Sequence, residues 1–404
     1  MKPLLLCAVV VTLSAPSAAR ADVVVDWNNH VFTAPTGPQI QRTLAMVHIA
    51  MFDAVNAIDT HYAPYLALPP APSGASPVAA AAAAAHGVLV RLFPAKAPPQ
   101  AAALSASLAA VPDGAAETNG VLFGDLVAQT IYQTRLFDRI LDSPPTYVFG
   151  SRPGDYQMTT PPGLPQPVNT GAALWIPFAL ESASQFRPNG PHRLTSPQYA
   201  RDLEETRFYG GTANTRTADE SQIAVWHTEQ AQFQFNRIAR TETAADGRSL
   251  IEHARLFALL NIALADATTA VFEAKYFFNA WRPSTAIHNA DTDGNDRTTA
   301  DPTWASFQVT PPHPEYPAAH GTVQGAAARV MKAYFGPHHA FTTTSPTVPG
   351  ITRSYADFDA YAAEGFIARI LGGMHFRSSL EEGARQGLRV GNYVLDHLLV
   401  PLED

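Results

Sequence analysis

Cysteine is nearly absent from this sequence: Cys7 is the only one among 404 residues. It lies in "MKPLLLCAVVVTLSAPSAARA", which has a basic start, an apolar run and an Ala-Arg-Ala ending, the pattern of a secretory signal peptide cleaved before Asp22. We therefore predict that residues 1–21 are a signal peptide and that the mature protein is periplasmic or secreted. Residues 22–404 contain no thiol, which excludes disulfides, cysteine catalysis and cysteine ligation of a metal.

Long apolar runs and an excess of positive charge are also missing. Beyond the signal no run of about 18 or more apolar residues occurs, so we predict a soluble protein with no membrane span. Lys and Arg number 27 against 35 Asp and Glu, a net charge of −8, which argues against a nucleic-acid partner. The expected partners are small molecules, and the sequence is compatible with a homo-oligomer.

Helical periodicity dominates what is present. Apolar residues recur at three- and four-residue spacing over 41–58, 113–141 and 248–282, whereas alternating strand patterns are scarce. We predict an all-α helical bundle with long proline-rich loops, in one domain over 22–404. The proline-rich connections lie at 60–77, 143–168, 302–317 and 345–349.

A first candidate segment, "PPHPEYPAAHGTVQGAAARV" at 311–330, packs four prolines and two histidines into its first ten residues. Pro317 predicts a helix start, because proline suits the first helical turn. The N–H groups of Ala318, Ala319 and His320 would then point out of the helix N-terminus, which favours a bound anion. Alternatively, the segment only opens a helix and His320 lies on the surface.

The second segment, "KYFFNAWRP", contains Lys275 and Arg282. Seven residues are two helical turns, so the two cations are predicted to share one face, about 10.5 Å apart along the axis, with the helix ending near Arg282 before Pro283. The aromatic residues between them favour burial, and buried cations need counter-charge. Such a pair is also common on solvated helix faces.

The third segment contains Arg369 and His375, separated by a Gly-Gly pair. In one continuous helix they would not share a face, but the glycines are predicted to end one helix, and Ser379 with Glu382 forms a capping box that starts the next. His375 would then lie in the turn, free to point where Arg369 points. An ordinary helix corner has the same pattern.

Together the three segments offer two guanidiniums, one ammonium, two imidazoles and a helix N-terminus. This set suits a tetrahedral oxyanion, since arginine gives forked donors and lysine a compact charge. A histidine can also bond to the central atom or transfer protons. The set does not suit a divalent cation, which prefers carboxylates or several neutral histidines.

The arrangement resembles the superfamily of type 2 phosphatidic acid phosphatases and vanadium-dependent haloperoxidases, in particular its bacterial haloperoxidase-like members. The family pattern is Lys, six residues, Arg-Pro; then Pro-Ser-Gly-His; then Ser-Arg, five residues, His, three residues, Asp. The matching stretches keep the order and the key spacings, and they run from Lys275 to Pro283, from Pro317 to His320 and from Ala368 to His375.

The resemblance implies a vanadate cofactor, a site that phosphate can also occupy, and His375 as the residue that binds vanadium or attacks phosphate. It further implies that Lys275 polarises bound peroxide and that His320 is the acid–base histidine. The groups implied to hold the oxyanion are Lys275, Arg282, Arg369, His320 and the N–H of Ala319.

Three positions depart from the family pattern. Ala318 replaces a serine whose hydroxyl bonds the oxyanion, Ala319 replaces glycine, and Ser379 replaces the aspartate that orients the histidine. The missing hydroxyl predicts anion binding weaker by about 1 kcal/mol. The missing acid predicts that His375 is less firmly oriented.

Two further residues are candidates around the oxyanion. His313 matches a position that is histidine in bromoperoxidases and aromatic in chloroperoxidases. Asp219 is a candidate to balance the cations.

Three functions follow from these residues. The first is a vanadate-dependent peroxidase that oxidises a halide, bromide above all, with hydrogen peroxide and passes it to an organic acceptor. The second is an acid phosphatase that hydrolyses a phosphate ester through a phosphohistidine on His375. The third is a non-catalytic oxyanion-binding homologue.

Overall fold

The computed structural model describes residues 22–32, 40–159, 167–213, 215–244 and 246–402. The predicted signal peptide lies outside the described residues, as does part of the connection 143–168.

Within these ranges the chain forms thirteen α-helices and one two-stranded sheet, which confirms the predicted all-α class. The helices are α1 (Val23–Val31), α2 (Ile40–Asn56), α3 (Pro77–Leu92), α4 (Ala97–Leu108), α5 (Ala115–Thr134), α6 (Pro197–Gly210), α7 (Ala218–Trp226), α8 (Ala231–Thr243), α9 (Leu250–Phe278), α10 (Pro283–His288), α11 (Ala319–Phe335), α12 (Phe358–Leu371) and α13 (Arg377–His397). The strands are β1 (Phe341–Thr344) and β2 (Thr352–Tyr355).

Helix α9 forms the centre of the core. It begins with a capping box in which the side chains of Ser249 and Glu252 each bond the other residue's backbone N–H. By length and composition α9 is apolar enough to cross a membrane, but its most apolar window is wholly buried inside the protein. It is therefore the core helix against which α2, α11 and α13 pack.

Helix α3 packs closely on α5 through small residues. Its alanine run, 79–85, is buried throughout. A Cβ added at Gly124 on α5 would lie 2.2 Å from the carbonyl oxygen of Ala80, so the two backbones are in direct contact. The alanine run thus forms part of the helical core.

Helices α11, α12 and α13 form a second packed group with α9. Between α11 and α12, strands β1 and β2 pair antiparallel with Phe341 opposite Tyr355. The ring of Phe341 stacks on Phe358 and the ring of Tyr355 meets Tyr361 edge-on, with centroids 4.9 and 4.8 Å apart. The hairpin is thereby fixed to the first turn of α12.

The predicted continuous helix through Lys275 and Arg282 is wrong. Helix α9 ends at Phe278 because Asn279 adopts a left-handed conformation with φ of 54°. A short helix, α10, then begins with Pro283 at its first position and Arg282 as its N-cap. The two cations consequently lie on different elements and do not share a helix face.

The predicted start of α11 at Pro317 is also wrong, by two residues. Ala318 is the N-cap in an extended conformation, and the helix begins at Ala319. The N–H of Ala318 is not free, because it donates to the carbonyl of Ser379 at 3.0 Å. The helix N-terminus therefore offers the N–H groups that follow Ala318.

The Gly-Gly pair ends α12 as predicted, and His375 lies in the turn before α13. The predicted capping box is wrong: Phe376 is the N-cap of α13 and bonds none of its N–H groups with its side chain. Ser379 is instead buried within the first turn of α13.

We predict that Gly387→Ala destabilises the packing of α13 on α11. A Cβ at Gly387 would lie 2.1 Å from the carbonyl oxygen of Thr322, so the helices would have to move apart. The expected loss is about 1–3 kcal/mol in the free energy of unfolding, the usual cost of overpacking. Denaturant unfolding followed by circular dichroism measures it.

Gly325→Ala is the matched control on the same helix pair. Its nearest neighbour would be the carbonyl oxygen of Ala384 at 3.2 Å, and alanine is the better helix former by about 1 kcal/mol. We expect near wild-type stability for this control. Equal stability of the two variants would contradict a tight contact at Gly387.

Candidate active site

The predicted site residues come from elements that meet at the N-terminus of α11. Lys275 lies in the last turn of α9, and Arg282 caps α10. Arg369 lies in the last turn of α12, and His375 follows in the turn before α13. The proline-rich segment 311–317 leads directly into α11 and contacts both cations of the α9–α10 region.

Lys275 is fully buried and is held by backbone carbonyl groups of this segment. Its Nζ donates hydrogen bonds to the carbonyl oxygens of Pro314 at 2.8 Å and Glu315 at 2.9 Å. An ammonium carries three N–H donors. Among the described residues, one donor of Lys275 is left for a ligand.

Arg282 is likewise fully buried and joins two histidines. Its Nε and Nη1 donate to the carbonyl oxygens of His313 and Met374, both at 2.8 Å. Its Nη1 also lies 3.1 Å from Nε2 of His375, and its Nη2 lies 2.9 Å from Nδ1 of His313. Because a guanidinium only donates, Nε2 of His375 accepts, whereas Nδ1 of His313 also lies 3.2 Å from the carbonyl oxygen of Pro314. Nε2 of His375 is therefore unprotonated on the side that faces the cations.

Glu315 holds the other side of His375, and the sequence-based reasoning did not select it. Its Oε1 lies 2.8 Å from Nδ1 of His375 and accepts the backbone N–H of Phe376 at 3.0 Å. Both side chains of the pair are 2% exposed. Since Nε2 is unprotonated, the ring proton lies on Nδ1 and is donated to the carboxylate. The one available signal was an acid placed among four prolines.

Arg369 has a buried donor without an acceptor. Its Nη1 donates to the carbonyl of His227 at 3.3 Å and its Nη2 to the sulfur of Met374 at 3.0 Å. Its Nε is buried and has no hydrogen-bond partner among the described residues. An unsatisfied buried donor on a cation is costly, and an anionic oxygen would satisfy it.

His320 lies in the first turn of α11, and one of its ring nitrogens is hydrogen-bonded to the backbone. Its Nε2 is 3.1 Å from the carbonyl oxygen of His227 and must donate to it. Burial, together with the charge of Arg369, holds the pKa of His320 well below its usual value. The imidazole is therefore neutral, and Nδ1 is its unprotonated nitrogen. The adjacent Ala319 N–H belongs to the helix N-terminus, which has no intrahelical partners.

A cavity of 470 Å³ connects these groups. Five of the predicted residues line it: His313, Ala319, His320, Arg369 and His375. Val168, Phe272 and Val323 supply apolar wall, and Val168 comes from the end of the long connection 143–168. Lys275 and Arg282 have no exposed surface, and Arg282 reaches the cavity wall through the two histidines that it contacts.

The site holds more buried positive charge than negative charge. Burial and the charge of Arg282 hold the pKa of Lys275 well below its usual value, and burial lowers the pKa of Arg282 to about 10 and that of Arg369 to about 9. Burial raises the pKa of Glu315 to about 7, although Lys275 and Arg282 oppose this. Three buried cations therefore face one carboxylate, and a bound anion would relieve the repulsion between them.

Of the three outer candidates, the structure places His313 and Ser379 at the site and Asp219 away from it. His313 contacts Arg282, as above, and Ser379 Oγ donates to the carbonyl oxygen of Glu315 at 3.4 Å. Asp219 is not brought to the cations: it pairs with Arg353 at 2.8 Å, and its side chain is 65% exposed. Asp219 therefore pairs with Arg353 and does not balance the buried cations.

The donor set fits an oxyanion and not a metal cation. Within the described parts of the chain, no cluster of three or more His, Asp or Glu side chains could hold a metal ion. The cavity instead combines buried cations, an unsatisfied guanidinium N–H and an unprotonated imidazole nitrogen. These groups fit a tetrahedral oxyanion whose central atom can take a further ligand.

Known proteins resemble this chain in sequence. Residues 255–403 match the family described as the VCPO second helical-bundle domain. The chain is 24% identical to the vanadium chloroperoxidase of Curvularia inaequalis, over an alignment that covers 80% of this chain and 67% of that protein. These two matches support the predicted relation to the vanadium haloperoxidases, and residues 255–403 include Lys275, Arg282, His320, Arg369 and His375.

Solved structures of bacterial vanadium-dependent haloperoxidases share the fold. An iodoperoxidase superposes with a TM-score of 0.75 at 24% identity, covering 95% of both chains. A holo-type chloroperoxidase superposes with a TM-score of 0.69 at 18% identity, covering 94% of this chain and 93% of that one. The haloperoxidase fold therefore extends over nearly the whole chain.

We predict that Arg369→Lys weakens the binding of both phosphate and vanadate about tenfold or more. The variant keeps the charge but loses the Nε donor, which has no partner in the described part of the chain, and a hydrogen bond to a charged group contributes about 1.5–3 kcal/mol. Isothermal titration of the metal-free protein with each anion measures the affinity.

Arg187→Lys is the control, because Arg187 is paired with Glu273 outside the cavity. We expect it to bind both anions as the wild type does. Wild-type affinity in Arg369→Lys would mean that the free Nε–H does not face the anion.

Proposed function

We propose that this chain is an exported vanadate-dependent haloperoxidase that oxidises halides with hydrogen peroxide, bromide in preference to chloride. One observation carries the proposal: an unprotonated Nε2 of His375 faces three buried cations, and among the described residues one carboxylate balances them. Vanadate satisfies both features, since it is an oxyanion that readily takes a fifth ligand.

The residues present fit this cofactor. His375 would bind vanadium through Nε2, and the groups that would hold its oxygens are Lys275, Arg282, Arg369 and the N-terminal N–H groups of α11. When bound, vanadate supplies a Lewis-acid centre that activates hydrogen peroxide toward a halide without a change in its own oxidation state.

Two residues of the chain are suited to move or stabilise charge during turnover. Neutral His320 donates from Nε2 to a backbone carbonyl, so its Nδ1 can take a proton from an incoming substrate and return it later. Lys275 keeps one N–H that no residue of the described ranges accepts, and this N–H can polarise an oxygen bound in the site.

Bromide is preferred in this proposal because of His313. It lines the cavity, is nearly buried and contacts Arg282. Its position matches the histidine of bromoperoxidases, whereas chloroperoxidases have an aromatic residue there. The relatives named above, a chloroperoxidase and an iodoperoxidase, differ from each other in halide, so family membership does not choose among them.

We predict that metal-free protein supplied with vanadate, hydrogen peroxide and bromide brominates an activated phenol. Phosphate added before vanadate should suppress the reaction by occupying the same cations. Bromide and iodide should be oxidised at least tenfold faster than chloride, as measured by kcat/KM for each halide. His375→Ala should abolish both turnover and vanadate retention, because it removes the proposed bond to vanadium.

His339→Ala is the matched control, since His339 pairs with Glu242 away from the cavity. Wild-type turnover in His375→Ala would refute the site assignment. Chloride oxidation as fast as bromide oxidation would refute the role given to His313.

An acid phosphatase is the second candidate, because the same pocket would hold a phosphate ester and the unprotonated Nε2 of His375 could act as the nucleophile. Brisk hydrolysis of an aryl phosphate, inhibited by vanadate and without bromination at any vanadate concentration, would favour this function. Anion binding without either activity would favour a non-catalytic homologue. The argument for this third candidate is that Ala318 and Ser379 replace the serine and the aspartate of the family pattern.

Export is the last part of the proposal, supported by the apolar first 21 residues and their Ala-Arg-Ala ending. The next residue, Asp22, already caps α1 and pairs with His253. We predict that the full sequence, expressed in a Gram-negative host, yields periplasmic protein that begins at Asp22. N-terminal sequencing of each fraction tests this, and uncleaved cytoplasmic protein would contradict it.

A further inference from the structure

The carboxylate on His375 comes from an unexpected part of the chain. In the superfamily pattern the orienting acid stands four residues after the histidine, a position that is Ser379 here. A serine hydroxyl carries no charge, and Ser379 Oγ bonds Glu315 itself, at its backbone carbonyl and its side chain. The histidine is bonded instead by Glu315, which lies 60 residues earlier in the chain.

We propose that Glu315 is the positioning residue for His375 and has taken over the role of the aspartate that is missing at position 379. It fixes the ring by accepting from Nδ1, so that the lone pair of Nε2 stays directed at the cations. This inference rests on the proposed function in one respect, namely that Nε2 binds vanadium. The orientation of the ring is independent of it.

The surroundings hold Glu315 firmly enough for this role. Its N–H donates to the carbonyl of Ala280 at 2.9 Å, and its own carbonyl accepts from Lys275 and Ser379. Its carboxylate accepts from Phe376 as well as from His375, which ties it to the start of α13. Prolines before and after it restrict the backbone further.

Removing this carboxylate has two opposing effects on anion binding. The pocket becomes more positive, which strengthens binding of every oxyanion. The imidazole loses its orientation, which weakens only an anion that bonds to Nε2. Vanadate depends on that bond, whereas bound phosphate is held by the cations. A change in pocket charge or a partly misfolded site would change both affinities together. A fall in the ratio of vanadate affinity to phosphate affinity therefore reports the lost orientation of His375.

The experiment compares Glu315→Leu with wild type in two measurements. Nitrogen-15 NMR of the vanadate-free protein should show wild-type His375 with the proton on Nδ1, and the variant with the proton distributed over both nitrogens, because the freed ring can turn away from Arg282. Titration with orthovanadate and with inorganic phosphate should show the affinity ratio falling at least tenfold, as for lost partners of metal-bound histidines. An unchanged tautomer, or both affinities changed by the same factor, would overturn the proposal.

A second substitution tests the relation between the two positions. Ser379→Asp, added to Glu315→Leu, should restore the Nδ1 proton and most of the affinity ratio, because it returns the acid to the family position. Failure to restore either would overturn the claim that residue 315 has replaced residue 379. Should Glu315→Leu not fold, Glu315→Gln gives the affinity test alone: its amide oxygen still accepts from Nδ1, but more weakly than a carboxylate, so the ratio should fall in the same direction.

The matched control removes a different buried glutamate. Glu273 is on the same helix as Lys275, is 5% exposed and pairs with Arg187. Glu273→Leu should leave the His375 tautomer and the affinity ratio as in wild type, and a change as large as in Glu315→Leu would overturn the proposal. If wild-type protein binds vanadate no better than phosphate, the proposed function fails, while the tautomer still decides the role of Glu315.

Discussion

The burial of three cations in one pocket is the constraint on which the rest of this structure depends. Each of Lys275, Arg282 and Arg369 is almost fully withdrawn from water, where an unpaired charge is very costly. Backbone carbonyls and a single carboxylate from the segment 311–317 meet part of this cost. What remains is a net positive pocket that a doubly charged oxyanion completes.

Very close backbone contacts between helices hold these groups in fixed positions relative to one another. The N-terminus of α11 is fixed on α13 because Gly383 and Gly387 leave no space between the helices. A hydrogen bond from the N–H of Ala318 to the carbonyl of Ser379 also joins the start of α11 to the start of α13. Packing between α11 and α13 therefore sets the distance between His320 and His375, although neither helix supplies one of the three cations.

The sequence was sufficient for the fold class and for most of the residues that meet in the cavity. Helical periodicity and the order of three short motifs predicted both. It was insufficient where the path of the backbone mattered: Asn279, in a left-handed conformation, divides Lys275 from Arg282, and no periodicity indicates this. Glu315 was missed for a related reason, because a hydrogen bond over 60 residues depends on the tertiary fold alone.

The same pocket is suited to phosphate and to vanadate, so its positive charge does not by itself distinguish the two chemistries. The distinction lies in what His375 can do. A guanidinium at Nε2 and a carboxylate at Nδ1 impose one tautomer, with the lone pair directed into the cationic pocket. A phosphorus centre uses that lone pair only during a displacement reaction, whereas vanadium can keep it as a lasting ligand. A rigid, permanently oriented imidazole is therefore of most value to a protein that retains its oxyanion as a cofactor.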